Sequence, residues 1–202
     1  MPETHRSFPD WNLLYKNEKV VNMPWYNENL DFDLEQEIIQ RKITYNGGKF
    51  LDLGTGPGTQ AVQLSKLGFD VTGNDLSEYA IEKARSLTDK VHFIVDDILN
   101  SQLKKNEFDY IFDRGCFHVL SIDDRDKYVM TIKNILKDNG ILFLKCFSDK
   151  EPHEEGPHRF SQDKIKEIFG NDFEILSIKE TVYQGTLDPL PKALFVVMRK
   201  KG

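Results

Sequence analysis

Residues 50 to 58 read Phe-Leu-Asp-Leu-Gly-Thr-Gly-Pro-Gly, a strand-length apolar run broken at once by glycines at alternate positions, Gly54, Gly56 and Gly58. Residues that favour extended backbone give way there to residues free to adopt left-handed backbone, which describes a strand entering a tight turn before a helix. A unit of that kind belongs to parallel α/β sheets, and the chain after Lys49 goes on repeating it.

Phe50-Leu51-Asp52-Leu53 is the first expected strand, followed by a helix from about Gly58 to Lys66 with Ala61 and Leu64 inward and Gly68 at its end. Phe69 to Asn74 reads as strand two, and Ser77 as the N-cap of a helix carrying Ala80, Ile81 and Ala84. Val91 to Val95 and Phe108 to Phe112 are strands three and four. Ser121 and Asp124 have capping-box spacing before a helix whose Val129, Ile132 and Leu136 share a face. Asn139-Gly140 should end that helix, Ile141 to Leu144 begin strand five, and Ser161 to Phe169 form one more helix. The tail then offers two β-rich runs, Phe173 to Thr181 and Ala193 to Arg199, with no helix between them, which predicts an antiparallel hairpin at a sheet edge. Before the first strand, Leu34, Ile38, Ile39 and Ile43 make an apolar stripe, so residues 1–48 are expected to form a helical cap on a main body at 49–202, all within one structural domain.

Length and composition fit that expectation: 202 residues suffice for one core that buries roughly 70% of the unfolded surface, and 39% hydrophobic with 30% charged residues is globular. No run approaches the ~20 apolar residues of a membrane span, and Met1 to Arg6 lack the apolar stretch of a signal peptide, so the expected location is cytoplasmic. The cysteines, Cys116 and Cys146, are thirty positions apart and make neither a zinc pair nor a disulfide framework. A net charge of −6 without a basic block gives no footprint for a nucleic-acid backbone.

The glycine turn alone suits many nucleotides, and its surroundings narrow the choice. The third glycine of a dinucleotide fingerprint would fall at Thr59. Asp52, at the end of strand one, would repel a pyrophosphate but attract an ammonium group, and between Leu51 and Ile81 the sole basic residue is Lys66. The implied ligand is cationic, which argues against a nicotinamide dinucleotide. Asp75, seventeen residues beyond Gly58 and directly after strand two, suits the two hydroxyls of a ribose. Asp97 suits an adenine amino group with Ile98 against the ring, and Asp96 competes for that role.

With those residues in view, the segments FLDLGTGPG, VTGNDLS, VHFIVDDI, FDYIFDRG and LKDNGILFL, spread over residues 49 to 147, resemble the ordered motifs of class I S-adenosyl-L-methionine-dependent methyltransferases. The resemblance implies a Rossmann-like, mostly parallel seven-stranded sheet with helices on both faces, and it adds Leu76 and Asp113 to the cofactor contacts. Asp113-Arg114-Gly115, together with Trp11-x-x-x-Tyr15 and Pro24-Trp25, is similar to thiopurine and thiol methyltransferases and their tellurite-resistance relatives, whose aromatic cap closes over the cofactor. That cap commonly has an acid directly after its tryptophan, where this chain has Tyr26.

Methyl transfer is an in-line displacement, so the protein's main tasks are alignment and exclusion of water. Trp11 and Trp25 can do both and can favour a sulfonium through cation–π attraction, or they can simply pack the cap. Arg114 can hold an anionic acceptor or lower a thiol's pKa, with a salt bridge to Asp113 as its plainer role. His118 is the candidate base, with packing beside Phe117 as its alternative. Cys116 reads as a small packing residue. His153 to Arg159 reads as a loop at the substrate mouth, since its spacing matches no metal site. The expected reaction is methylation of a small soft nucleophile such as a thiol or selenol. A lysine or other N-methyltransferase on the same fold and a non-catalytic adenosylmethionine-binding module are the alternatives.

Overall fold

The computed structural model describes residues 8–43, 48–153 and 155–202. The start of the chain at 1–7, the segment 44–47 of the expected cap and Glu154 of the expected mouth loop lie outside the described residues. In chain order the elements are α1 (Trp11–Asn17), α2 (Phe32–Gln40), β1 (Lys49–Leu53), α3 (Thr59–Lys66), β2 (Asp70–Asp75), α4 (Glu78–Arg85), β3 (His92–Val95), β4 (Phe108–Arg114), α5 (Arg125–Ile135), β5 (Leu136–Ser148), β6 (Arg159–Phe160), α6 (Gln162–Phe169), β7 (Phe173–Val182) and β8 (Lys192–Lys200).

Seven strands lie in the order β3-β2-β1-β4-β5-β8-β7, and two-residue β6 pairs with β5 off that path. Pairing is parallel from β3 to β5, while β8 runs antiparallel to both β5 and β7. The two tail runs thus pair with each other as the sequence suggests. The edge strand is β7, and β8 inserts between it and β5, which explains why Ala193 to Met198 are all buried.

Alternation along the strands divides the core between two faces. Phe50, Phe112, Phe143, Phe195 and Val197 meet Leu34 and Ile38 of α2, Ala61 and Leu64 of α3, and Ile81 and Ala84 of α4. Their strand neighbours Leu51, Ile111, Leu142, Leu144, Leu194 and Val196 face Val129 and Ile132 of α5 and Ile165 and Phe169 of α6. Phe143 stacks on Phe195 at 6.4 Å and on Phe50 at 6.2 Å, carrying one aromatic row across the sheet.

Ser77 caps α4 by accepting from the Ala80 amide at 3.1 Å, and Ser161 caps α6 by accepting from Lys164 at 3.0 Å. Four expectations are corrected. Ser121 and Asp124 bond each other's side chains at 2.7 Å across a 3₁₀ turn, and α5 begins only after it. That helix stops at Ile135, because Leu136 has already joined the sheet opposite Phe108, so Asn139 with φ 61° lies in a bulged entrance to β5. In α2, Ile39 faces solvent while Leu34 and Ile38 point inward. Helix α1 is a second cap helix beyond the expected stripe, with Trp11, Leu14 and Tyr15 on one face; Asp10 caps it by accepting from the Leu13 amide at 3.1 Å, and buried Tyr15 joins Met23 and Ala80 beneath it. Among the described residues no helix is long and apolar enough to cross a membrane.

Phe117, just after β4, is fully buried against Tyr128, Phe160 and Phe169 with ring centroids 4.9 to 5.3 Å away, and so ties α5 and α6 to the sheet. Phe117→Ala is expected to cost about 3–5 kcal/mol of unfolding free energy in chemical denaturation; a loss below about 1 kcal/mol would show that this junction does not carry the core.

Candidate active site

After Leu53 the chain turns through Gly54, Gly56 and Gly58 at φ 63°, 53° and 84° before α3 begins. Space as well as backbone demands glycine at the last two. A Cβ on Gly56 would lie 2.6 Å from the Tyr15 hydroxyl, and one on Gly58 would lie 2.8 Å from both Ala84 Cβ and Phe93 Cζ. The turn is pinned from below, where Thr55 N donates to Asn74 O at 2.8 Å and Gly56 N to Asp75 Oδ2 at 2.9 Å.

Four acids stand where the parallel strands end. Asp52 is buried beneath the turn, and its Oδ2 accepts from the Thr55 hydroxyl at 2.5 Å and from the Ala61 amide at 3.0 Å. Burial pushes its carboxyl up to about 7 against those hydrogen bonds. Asp75 is partly exposed and accepts from Ser77 N at 2.8 Å through Oδ1, with burial again raising its pKa. Asp96 and Asp97 differ. Asp96 is buried and bound by Gln102 N, Ser101 Oγ and Asn74 Nδ2. Asp97 is partly exposed, with Leu99 N on one oxygen and Asn100 Nδ2 on the other. Of the two, Asp97 alone keeps a surface for a ligand. Ile98 turns into the core among Leu51, Leu53 and Phe117, so it does not present a face to a ring beside Asp97. The exposed apolar surface here belongs to Leu76 (59% exposed) and Val95 (46%), whose strands pair Asp75 with Val95.

At the end of β4 the structure redistributes the expected roles. Asp113 is fully buried and accepts from Gly115 N and Cys116 N through Oδ1, and from Phe117 N and the Tyr128 hydroxyl through Oδ2. Its carboxyl, raised to about 6 by burial, shapes the turn and reaches a ligand only through that backbone. Arg114 does not pair with Asp113. It donates to Asp31 Oδ2 at 3.0 Å, to Trp25 O at 3.0 Å and to Gln184 O, and its guanidinium lies 4.6 Å from the Tyr183 ring. A guanidinium spent on three protein oxygens braces the fold and does not clamp an acceptor. His118 is buried, stacked on Tyr183 at 5.6 Å and edge-on to Phe147 at 5.2 Å. Its Nδ1 accepts from Phe147 N at 3.3 Å, and desolvation lowers its pKa to about 3, so it is neutral with its basic lone pair occupied. Cys116 lies against Gly54, and burial raises its thiol well above the ordinary range, in keeping with a packing residue.

Above the turn, Trp11 and Trp25 meet edge to face at 5.9 Å, Phe8 stacks on Trp11 at 6.4 Å, and Trp25 Nε1 donates to the Tyr15 hydroxyl at 3.3 Å. The cap thus sets the Tyr15 phenol against Gly56, with the tryptophan pair beside that phenol. Among the described residues no group of three or more His, Cys, Asp or Glu side chains is arranged to hold a metal.

Residues 50–140 match the family described as a methyltransferase domain. An uncharacterized methyltransferase of Schizosaccharomyces pombe is 35% identical over 103 residues, spanning 49% of this chain and 71% of that protein. Human EEF1A lysine methyltransferase 2 is 31% identical over 161 residues, spanning 70% and 68%. The chain belongs to the class I S-adenosylmethionine-dependent methyltransferases. The solved structure concerned with conversion of a disulfide bond into a thioacetal group during echinomycin biosynthesis shares its fold, with a TM-score of 0.81 at 22% identity over 95% of this chain and 92% of that one.

The cofactor of this methyltransferase is S-adenosylmethionine, and the site fits it. The turn has no Cβ at Gly54, Gly56 or Gly58 to hold a ligand off its backbone, Asp75 and Asp97 retain exposed carboxylate surface, and Leu76 and Val95 expose apolar surface nearby. Several residues that shape the site escaped the sequence reading. Lys145 carried a signal, since a lysine within Ile-Leu-Phe-Leu-Lys-Cys-Phe needs a buried partner. Its partner Asp31 was visible only as an acid before a helical stripe. Tyr183 and Gln184 reach Arg114 across sixty-nine and seventy positions, a separation that no local pattern reports.

The raised carboxyl of Asp52 gives a directional prediction. A group whose pKa rises from 3.8 to about 7 on folding favours the fold at low pH and loses that advantage as pH climbs from 4 to 7. Asp113 acts in the same sense up to about 6, and His118, lowered from 6.5 to about 3, acts in the opposite sense below 6.5. Comparing Asp52→Asn with wild type isolates the first effect. Without ligand, the variant's stability relative to wild type should rise by on the order of 2–3 kcal/mol between pH 5 and pH 8 in urea denaturation; a constant difference would place the Asp52 pKa in the ordinary range.

Proposed function

We propose that this methyltransferase acts on a small soft nucleophile, a thiol or selenol that ionises in water without help from the enzyme. The observation that carries the reading is the commitment of three side chains at the end of β4: Asp113 holds the turn, Arg114 the cap, and His118 the Phe147 amide. A thiol with a pKa near ~8.5 is partly ionised at neutral pH, whereas an amine near ~10.4 needs a base or a strongly perturbing site. The bound cofactor supplies a methyl group on a sulfonium. The protein's contribution is alignment and dryness, for which a preformed aromatic roof suffices.

In the same reading the methionine end of the cofactor lies against the backbone of the turn at Gly54, Gly56 and Gly58, and Asp52 lies beneath its ammonium. Asp75 accepts from the ribose hydroxyls, Leu76 lies against adenine, and Asp97 accepts from its amino group. Trp11 and Trp25 close over the sulfonium. Gly56→Ala, which brings a methyl within 2.6 Å of the Tyr15 hydroxyl, is expected to weaken adenosylmethionine binding more than tenfold by calorimetry; unchanged affinity would move the cofactor off this turn.

A second reading, methylation of a protein lysine, is favoured by the similarity to EEF1A lysine methyltransferase 2. A panel of small thiols, selenols, amines, carboxylates and lysine peptides separates the two. The proposal expects transfer to thiols, with kcat/KM rising tenfold per pH unit up to the acceptor's own pKa. Activity confined to amines or peptides would reject it.

A further inference from the structure

The strongest feature outside the assigned chemistry is a buried cluster of charge between the cap and the sheet. Lys145, toward the carboxyl end of β5, is fully buried, with Nζ 2.8 and 2.7 Å from the two carboxylate oxygens of Asp31 and 2.8 Å from Asp33 Oδ2. Asp31 is equally buried, and its Oδ2 also accepts from Arg114 Nε at 3.0 Å. Thr181 of β7 donates to Asp33 at 2.8 Å. Two carboxylates and two cations leave the cluster formally neutral.

Asp31 is also held through its backbone. Its amide donates to Gln60 Oε1 at 2.7 Å, and Gln60 stands in the first turn of α3, the helix that the glycine turn feeds. Gln60 Nε2 in turn donates to Asn27 O and Asn29 O at 3.1 and 2.8 Å. From Arg114 the chain of contacts runs to Trp25 O, and from the Trp25 indole to the Tyr15 hydroxyl beside Gly56. Stability is a poor explanation for such a cluster, because a buried ion pair is often no better than a well-packed apolar substitute. Fixed geometry is a better one.

We infer that Asp31 is a positioning residue for methyl transfer: one carboxylate and one amide fix α3 beneath the glycine turn and Arg114 at the end of β4, and through Arg114 they seat Trp25 over the cofactor. Lys145 cross-braces the carboxylate so that it presents one oxygen to Arg114. The inference rests on the glycine turn as the cofactor site and is independent of which acceptor is methylated.

The test must separate positioning from stability. Asp31→Asn combined with Lys145→Met removes one charge of each sign and leaves Arg114 with Asp33, so the cluster stays neutral while Arg114 loses its carboxylate. The probe is S-adenosylhomocysteine alone, measured by calorimetry, so that a wrong choice of acceptor has no bearing on the result. Trp11 and Trp25 are the chain's two tryptophans and both lie in the cap, so intrinsic fluorescence reports cap seating directly. The double variant is expected to melt within a few degrees of wild type, to bind the probe about tenfold more weakly and to show red-shifted tryptophan emission. Arg114→Lys, which keeps the charge but cannot reach three oxygens in that geometry, is expected to show the same loss and decides the matter if the double variant does not fold. Probe affinity within threefold of wild type in a folded variant, with unshifted emission, overturns the inference. If the wild type itself fails to bind the probe, the cofactor assignment at the glycine turn has failed instead.

Discussion

The meeting of Lys145 with Asp31 inside the protein is the contact that joins the cap to the sheet. A lysine on a central strand is far from water, and only a carboxylate brought by another segment can satisfy it. That segment is the start of α2, so satisfying the lysine places the cap. Once Asp31 is there, Arg114 has one oxygen to bond and two carbonyls within reach, from Trp25 in the cap and Gln184 beyond β7. Four elements far apart in the chain converge on one buried point, next to where the parallel strands end.

Those strand ends are lined with acids, and the structure spends most of them on itself. Asp113 shapes the turn after β4, Asp96 the turn after β3, and Asp52 the glycine turn, each through hydrogen bonds to amides or hydroxyls. Carboxylates used in this way hold backbone in place where a ligand must be met closely. The cost is desolvation, visible in the upward shifts of Asp52 and Asp113. Asp75 and Asp97 also hold backbone amides, but both stay partly exposed, near the apolar surface of Leu76 and Val95. Spent acids shape the cradle while exposed ones stay available to hydrogen-bond donors.

How much of this was legible depended on whether the responsible interaction was local. The alternation of Phe50 with Leu51, or of Phe143 with Leu144, is written in consecutive residues, and the layers follow from it. The glycine turn is local too, as are the caps at Ser77 and Ser161. Expectations failed where two local rules competed or where the partner was distant. Leu136 satisfies a helical stripe and a strand register equally well, and pairing with Phe108 decides the contest. Ile98 looked free to face a ring until the packing of α5 claimed it. Arg114 looked like an acceptor clamp because its true partners, Asp31, Trp25 and Gln184, lie seventy or more positions away. The neutrality of His118 follows from burial and from the Phe147 amide, neither of which its neighbours in sequence reveal.

The same commitments bear on the kind of acceptor such a site can serve. An amine arrives protonated, and its transfer requires somewhere to leave the proton before the nitrogen lone pair can attack. Here the imidazole nearest the end of β4 is neutral, but its acceptor nitrogen is occupied, and a pKa near 3 makes it too weak a base to take a proton from an ammonium. The carboxyls beneath the turn are buried and already hydrogen-bonded to the backbone, so neither faces an incoming ammonium. A thiol that has already ionised in water imposes neither demand. It must instead shed its hydration, which is cheaper for a diffuse sulfur anion than for a compact one. These commitments are what support the proposed small acceptor, one that would enter while the cap stays seated.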